Sequence, residues 1–130
     1  MGPDATVDFM AKVIAATPAD KEQDHVRLLV DQNPAVPSRQ AALLDDGEDP
    51  GPAMAAMAVG LQQAGADFLV LPCNTAFAFA PAIRAAVEIP LVSIVDITVD
   101  ACRGHDTVGI LATEGCLAAN LYQDALATAG

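Results

Sequence analysis

The sequence contains no tryptophan, and only 4% of its 130 residues are aromatic. Its 53% hydrophobic content excludes a disordered chain, and the abundance of alanine suits helices packed closely on a sheet. No apolar run approaches the roughly 20 residues that a membrane-spanning helix needs. A chain of this length buries one ordinary core, so we expect a single domain.

Basic residues are also scarce. Six Lys and Arg stand against 17 Asp and Glu, and the formal net charge is −11. Nucleic acid and anionic membrane surfaces are therefore poor partners for this chain, because binding to phosphates needs clustered positive charge. No charged and then apolar leader opens the sequence, so the cytoplasm is the expected compartment.

The cysteines are few and widely spaced. Cys73, Cys102 and Cys116 form no Cys-x-x-Cys pair and have no pair of histidines nearby, so we expect no metal site. An odd number of cysteines argues against a disulfide framework. Any cysteine function in this chain is then expected to use a free thiol.

Short apolar runs alternate along the chain with segments of helical spacing. Predicted strands cover residues 26–30, 68–72, 91–95 and 108–112, and predicted helices cover residues 4–17, 37–44, 53–63, 75–88, 96–102 and 117–129. This alternation predicts an α/β fold, a parallel sheet with helices on both faces. Pro81 is expected to kink the helix at 75–88 or to divide it into two short pieces.

The most informative stretch lies at residues 68–76. The unbroken apolar run at 68–72 is typical of a strand buried on both faces, and a thiol, an amide and a hydroxyl follow it at Cys73, Asn74 and Thr75. Ligands of open α/β sheets bind at the carboxyl ends of the strands, and a helix start favours a thiolate or a bound carboxylate. The alternative is that Cys73 is a small apolar residue of the core.

Four stretches of the chain resemble the aspartate/glutamate racemase superfamily, in particular its aspartate racemase branch. They are the Met-Gly-Pro turn at 1–3, the Asp-His, Asn-Pro and Pro-Ser-Arg segments at 24–25, 33–34 and 37–39, the Pro-Cys-Asn-Thr-Ala motif at 72–76, and the segment 111–115. The resemblance covers nearly all of this chain but about half of the family's length. It implies a flavodoxin-like lobe of a two-lobe, pseudo-symmetric racemase that is truncated at both ends.

The resemblance also implies how the chain is divided. Residues 1–104 correspond to the first lobe without its first strand, and residues 105–130 correspond to the start of the second lobe. A side hypothesis is that the strand at 108–112 occupies the position of the absent first strand. The complete protein is expected to be a homodimer.

The resemblance to this family implies a cofactor-independent racemase that uses two thiols. One thiolate removes the α-proton of an amino acid, and a thiol on the opposite face returns a proton. By resemblance Cys73 is one of these groups, and the second belongs to the absent part of the second lobe rather than to Cys116. The chain alone is therefore expected to be inactive as a racemase.

The resemblance implies a small amino acid or dicarboxylic acid, aspartate or a relative, as the bound molecule. The substrate-binding residues that it implies are Met1, Asn33, Arg39, Asn74, Thr75 and Thr113. Among them, Arg39 would pair with the side-chain carboxylate, and Asn74 and Thr75 would donate to the α-carboxylate or position the thiol. Arg39 could instead be a surface helix residue, and Asn33 could be a turn former.

Two other functions remain open at this point. A relative with one catalytic thiol, a decarboxylase or an isomerase of the same superfamily, would need Cys73 alone. A non-catalytic α/β binding module would bind the acid without any chemistry.

Overall fold

The computed structural model describes residues 2–129. Within that range the α-helices are α1 (Pro3–Ala16), α2 (Arg39–Leu44), α3 (Gly51–Gln63), α4 (Ala80–Ala86), α5 (Ile94–Ala101), α6 (Glu114–Ala118) and α7 (Leu121–Ala129). The strands are β1 (Leu69–Val70) and β2 (Leu91–Val92), and two 3-10 helices cover Glu22–Asp24 and Thr75–Phe79. No helix in this part of the chain has both the length and the apolar character needed to cross a membrane.

The two strands pair in parallel, which confirms the predicted fold class. Leu69 lies opposite Leu91, and the N–H of Leu69 donates to the carbonyl of Pro90 over 2.8 Å. Because α4 connects the strands, the unit is a short β–α–β crossover. The main core lies around it, where α3 packs on α4 and buries Met54 and Ala58.

The positions at which several helices begin or end are explained by the residues located there. Ser38 and Ser93 cap α2 and α5, and their hydroxyl oxygens accept backbone N–H bonds at 3.3 Å and 3.1 Å. Gly65, just after α3, has a φ of 90°, a conformation that glycine adopts readily at a helix end. Pro81 divides the predicted helix at 75–88 into the 3-10 helix Thr75–Phe79 and α4, as predicted.

The single helix predicted at 117–129 is wrong. Asn120 has a φ of 51°, and this left-handed residue separates α6 from α7. Asparagine tolerates the left-handed region better than most residues, which is why the chain can turn here. The turn allows α7 to pack against α5 and to bury Tyr122.

The strands predicted at 26–30 and 108–112 are also wrong. Neither segment forms a backbone hydrogen bond within the described chain, although both run without turn or bend. Ile110 and Ala112 pack against the core while Leu111 is fully exposed, so side-chain packing rather than a ladder holds the second segment. A strand needs a partner at hydrogen-bonding distance, and no described segment pairs with either one.

The region around β1 is buried on one face only, contrary to prediction. Leu69 and Leu71 are buried, whereas Phe68 and Val70 are exposed. Their exposure is explained by an open groove beside β1, between α1, α3 and residues 26–31. Residues 108–112 do not line this groove, so the hypothesis that they occupy the position of the first strand is wrong.

Candidate functional site

Three elements meet beyond the carboxyl end of β1. Helix α2, the 3-10 helix Thr75–Phe79 and helix α6 contact one another. They bring together segments that are far apart in the chain, since α2 begins at Arg39 and the residue that precedes α6 is Thr113. Four of the residues predicted for the site therefore lie at, or next to, the start of one of these helices: Arg39, Asn74, Thr75 and Thr113.

Cys73 connects β1 to this cluster. Its side chain is half-buried and packs partly against the core, and its N–H donates to the carbonyl of Leu71 over 2.8 Å. This short bond closes a three-residue turn, which ends the strand directly before the 3-10 helix. Cys73 thus has contacts with the core and is partly exposed to solvent.

The hydroxyl groups of Thr75 and Thr113 form a direct hydrogen bond, with 2.9 Å between the two Oγ1 atoms. Thr75 is buried and Thr113 is exposed. The bond joins the start of the 3-10 helix to the residue that precedes α6. These two predicted site residues are therefore a contacting pair, despite the 38 positions between them.

Asn74 is exposed, and its side-chain oxygen Oδ1 accepts a hydrogen bond from the hydroxyl of Tyr122 over 2.5 Å. This bond orients the amide and leaves its N–H₂ group without a partner among residues 2–129. Burial raises the pKa of Tyr122, so the phenol stays protonated as the donor. Sequence reasoning missed Tyr122, because nothing local connects a residue of the last helix to a site 48 positions earlier.

Arg39 is held by backbone carbonyls rather than by an acidic side chain. Its Nη1 donates to the carbonyl of Val36 over 3.2 Å and to that of Pro37 over 2.9 Å. Its Nε is buried and has no hydrogen-bond partner in the described chain, where none of the ion pairs includes this residue. Buried N–H groups nearly always have a partner, so this one marks a position where an acceptor is missing.

Asn33 forms a turn. Its Oδ1 accepts a hydrogen bond from the N–H of Ala35 over 2.9 Å, the geometry in which asparagine side chains stabilise turns. Asn33 also has a further interaction. Met1, the remaining predicted substrate-binding residue, lies outside the described residues.

A contact that the sequence did not reveal joins α2 to α6. The N–H of Gly115 donates to the side-chain oxygen of Gln40 over 2.8 Å; Gln40 directly follows Arg39, and Gly115 lies two residues after Thr113. A Cβ atom at position 115 would overlap with that oxygen, so the contact requires glycine. The bond fixes α6 beside the helix that carries Arg39.

We expect Gly115→Ala to lower the free energy of unfolding by about 1–2 kcal/mol, because the methyl group displaces the Gln40 amide and leaves a buried N–H unpaired. Chemical denaturation measures the change. Gly60→Ala is the matched control: that glycine is exposed in α3 with open space around it, so the protein should become more stable by up to about 1 kcal/mol. Equal stability of Gly115→Ala and the unaltered chain would show that the α2–α6 contact is unimportant.

Cys116, in α6, is the most deeply buried of the three cysteines, with 1% of its surface exposed. Burial is the main cause that raises the pKa of its thiol, and the nearby Cys73 raises it further. The raised pKa keeps Cys116 protonated near neutral pH, so it is poorly suited to act as a base.

The raised pKa of Cys116 predicts a pH dependence of stability. Above about pH 8.5 the unfolded chain loses this thiol proton while the folded chain keeps it, so the free energy of unfolding falls as pH rises. Below that pH, the contribution of the Cys116 thiol to the free energy of unfolding is fully present. Urea titrations at pH 7.5 and pH 9.5 measure the loss, which we expect to be smaller in Cys116→Ala; an unchanged loss in that variant would assign it to other groups.

Among residues 2–129, no three His, Cys, Asp or Glu side chains are grouped so that they could hold a metal ion. The cluster and the turn that leads into it carry one half-buried thiol, a guanidinium with an unpartnered N–H, two bonded hydroxyls and an oriented amide. A guanidinium is a suitable partner for a carboxylate, and a thiolate can accept a proton.

Comparison with known proteins identifies the family. The family model for Asp/Glu/hydantoin racemases matches residues 1–130. The broad specificity amino-acid racemase RacX of Bacillus subtilis (strain 168) is 29% identical over 133 residues, in a match that covers 97% of this chain and 57% of RacX. The Picrophilus torridus aspartate racemase superposes with a TM-score of 0.88 at 26% identity, over 98% of this chain and 55% of that one. The chain thus spans little more than half the length of these relatives, and it belongs to the Asp/Glu/hydantoin racemase family.

Proposed function

We propose that this chain provides one half of a cofactor-independent racemase site for aspartate or a related small acid. The observation that carries the proposal is the buried, unpartnered Nε of Arg39, on a helix that contacts the 3-10 helix following Cys73. A carboxylate is the ligand that suits a guanidinium with free N–H donors. The names of the similar proteins, an aspartate racemase and a broad specificity amino-acid racemase, support an amino acid as the bound molecule.

In the proposed mechanism the Cys73 thiolate takes the α-proton of the bound amino acid. The C–H bond breaks, the proton moves to the sulfur, and the electron pair stays on the α-carbon and spreads into the α-carboxylate. The N–H₂ group of Asn74 and the hydroxyl of Thr75 or Thr113 would donate hydrogen bonds to that carboxylate, which stabilises the developing charge. Asn33 and Met1 would complete the contacts to the substrate.

Inversion needs a second proton donor on the opposite face of the substrate. Cys116 does not suit this role, because it is buried and its pKa is raised. We propose that the second thiol belongs to sequence beyond this chain, that residues 1–104 and 105–130 are parts of two lobes, and that the chain alone does not racemise. A homodimer of the complete protein and a cytoplasmic location are parts of the same proposal.

The test follows α-protons of L- and D-aspartate in D₂O by NMR. We expect one enantiomer to exchange its α-proton for deuterium without inversion, since one thiol can remove and return the proton on the same face only. Binding of aspartate without any exchange would favour the non-catalytic module. Loss of a carboxyl group as CO₂ would favour the single-thiol decarboxylase. One half-buried cysteine at the site also suits that reaction. Inversion by the chain alone would contradict the proposal.

A further inference from the structure

Tyr122 is the only tyrosine of the chain, and it lies in the first turn of α7 with 9% of its surface exposed. Its hydroxyl donates to Oδ1 of Asn74, the residue that directly follows Cys73. The proposed mechanism uses Asn74 as a donor but assigns no role to Tyr122. A buried phenol usually finds a hydrogen-bond partner, and here that partner is a side chain of the proposed site.

The two partners differ in how firmly they are held. Tyr122 is buried, and α7 packs against α5, whose Thr98 also hydrogen-bonds the phenol. Burial is the main cause that raises the pKa of Tyr122, and it outweighs the opposite effect of Thr98, so the phenol keeps its proton near neutral pH. Asn74, in contrast, is exposed. The phenol is thus the fixed end of the bond, and the amide is the end that the bond orders.

Without this bond, the amide plane of Asn74 would have little to fix it. The terminal torsion of an asparagine side chain has a broad energy profile, and this side chain makes no capping bond to the 3-10 helix that follows it. While the phenol holds Oδ1, the N–H₂ group at the other end of the amide remains available as a donor. Asn74 is therefore prepared to donate to an acceptor, such as a carboxylate, before any acid binds.

We propose that Tyr122 is a positioning residue, which holds the Asn74 amide so that its N–H₂ group donates to the carboxylate of a bound amino acid. This inference rests on the proposed function, in which Asn74 is a donor to the α-carboxylate. Tyr122 itself does not contact the acid. It removes the cost of ordering Asn74 on binding, and it keeps the donor in place while negative charge develops on the carboxylate.

The bond also joins distant parts of the chain. Asn74 lies in residues 1–104 and Tyr122 in residues 105–130, the two parts that the proposed function assigns to different lobes. The start of the second lobe would therefore influence the donor next to Cys73 through one hydroxyl group.

A purely structural Tyr122 would act through its ring, which belongs to the core cluster. Tyr122→Phe keeps the ring and removes only the hydroxyl, so this variant separates the two roles. Val99→Ala is the matched control. It removes buried contacts of α5, the helix that packs on α7, but retains every atom of the bond between Tyr122 and Asn74.

The first measurement needs no acid, because ¹⁵N relaxation of the side-chain N–H₂ group of Asn74 reports how firmly the amide is held. We expect a restricted amide in the unaltered chain and in Val99→Ala, and a mobile amide in Tyr122→Phe. An Asn74 amide that is as ordered in Tyr122→Phe as in the unaltered chain would overturn the proposal, whatever the result with aspartate.

The second measurement is a double-mutant cycle of Tyr122→Phe and Asn74→Ala, followed by aspartate binding and by exchange of its α-proton in D₂O. Tyr122→Phe alone should weaken binding by about 3- to 10-fold, the effect of having to order one side chain on binding. It should also slow exchange at saturating aspartate by about tenfold, less than the loss expected from removing a donor outright.

In the Asn74→Ala background, Tyr122→Phe should change binding and exchange by less than about twofold, because Tyr122 acts through Asn74. Equal effects of Tyr122→Phe with and without Asn74 would show that the phenol acts by another route and would overturn the proposal. Val99→Ala should lower the melting temperature and leave the Asn74 amide and the exchange rate within about twofold of the unaltered chain.

The two measurements also separate this inference from the proposed function. An unaltered chain that neither binds nor exchanges aspartate, but whose Asn74 amide loses order in Tyr122→Phe, would contradict the proposed function and the carboxylate ligand, while it supports Tyr122 as the residue that orders Asn74. Exchange by the unaltered chain that Tyr122→Phe does not slow would support the proposed function and overturn the inference.

Discussion

Replacing Cys73 with alanine is expected to lower the rate of deuterium exchange into the α-position of aspartate by at least about 100-fold, because the variant lacks the proposed base. The thiol is half-buried at the end of β1, so its removal takes away few core contacts, and the fold should persist. The initial rate of loss of the α-proton signal in D₂O measures the effect. Aspartate binding should be nearly unchanged, since Arg39 is intact.

Cys102→Ala is the matched control, because Cys102 is also a half-buried cysteine but follows α5, outside the proposed site. Its exchange rate should remain within about twofold of the unaltered chain. Exchange that survives in Cys73→Ala and disappears in Cys102→Ala would place the base elsewhere. A far-ultraviolet circular dichroism spectrum of each variant confirms that the comparison is between folded proteins.

Replacing Arg39 with glutamine is expected to weaken aspartate binding by about 10- to 100-fold, the effect of losing a hydrogen bond between charged groups, about 1.5–3 kcal/mol. Calorimetric titration measures the dissociation constant. The dissociation constant of Arg39→Lys should lie between those of the unaltered chain and Arg39→Gln, because lysine keeps the charge but not the paired donors of a guanidinium. The exposed Arg84 of α4 provides the control, and Arg84→Gln should leave binding unchanged.

A purely structural Arg39 would behave differently. Its bonds to the carbonyls of Val36 and Pro37 would then be its whole contribution, and Arg39→Gln would reduce thermal stability without weakening aspartate binding. Measuring the melting temperature and the dissociation constant on the same samples separates the two roles. Unchanged binding in Arg39→Gln would contradict the assignment of this residue to the substrate.

The sequence was sufficient to predict the elements whose cause is local. The parallel β1–β2 pair and the division of helix 75–88 at Pro81 each follow from a short apolar run or from the conformational preference of one residue. The strands at 26–30 and 108–112 were predicted wrongly because a ladder depends on a neighbour, which no apolar pattern can guarantee.

In the site as well, the sequence indicated some residues but not the contacts between distant segments. The resemblance named both Thr75 and Thr113, and the structure shows a hydrogen bond between their hydroxyl groups. The bond between Gln40 and Gly115, across 75 positions, had no counterpart in any local pattern. Polar contacts between distant segments depend on the packed positions of the helices, and they therefore emerged only from the structure.

The most direct test of the account is a titration of the ¹⁵N-labelled chain with L-aspartate, followed by NMR. We predict that the Nε–H signal of Arg39 and the backbone amide signals of Cys73 and Thr75 shift together with a single dissociation constant, because one acid molecule would contact the guanidinium and lie beside the thiol. Aspartate that shifts none of these three signals, or that shifts only signals of residues in the groove beside β1, would contradict it.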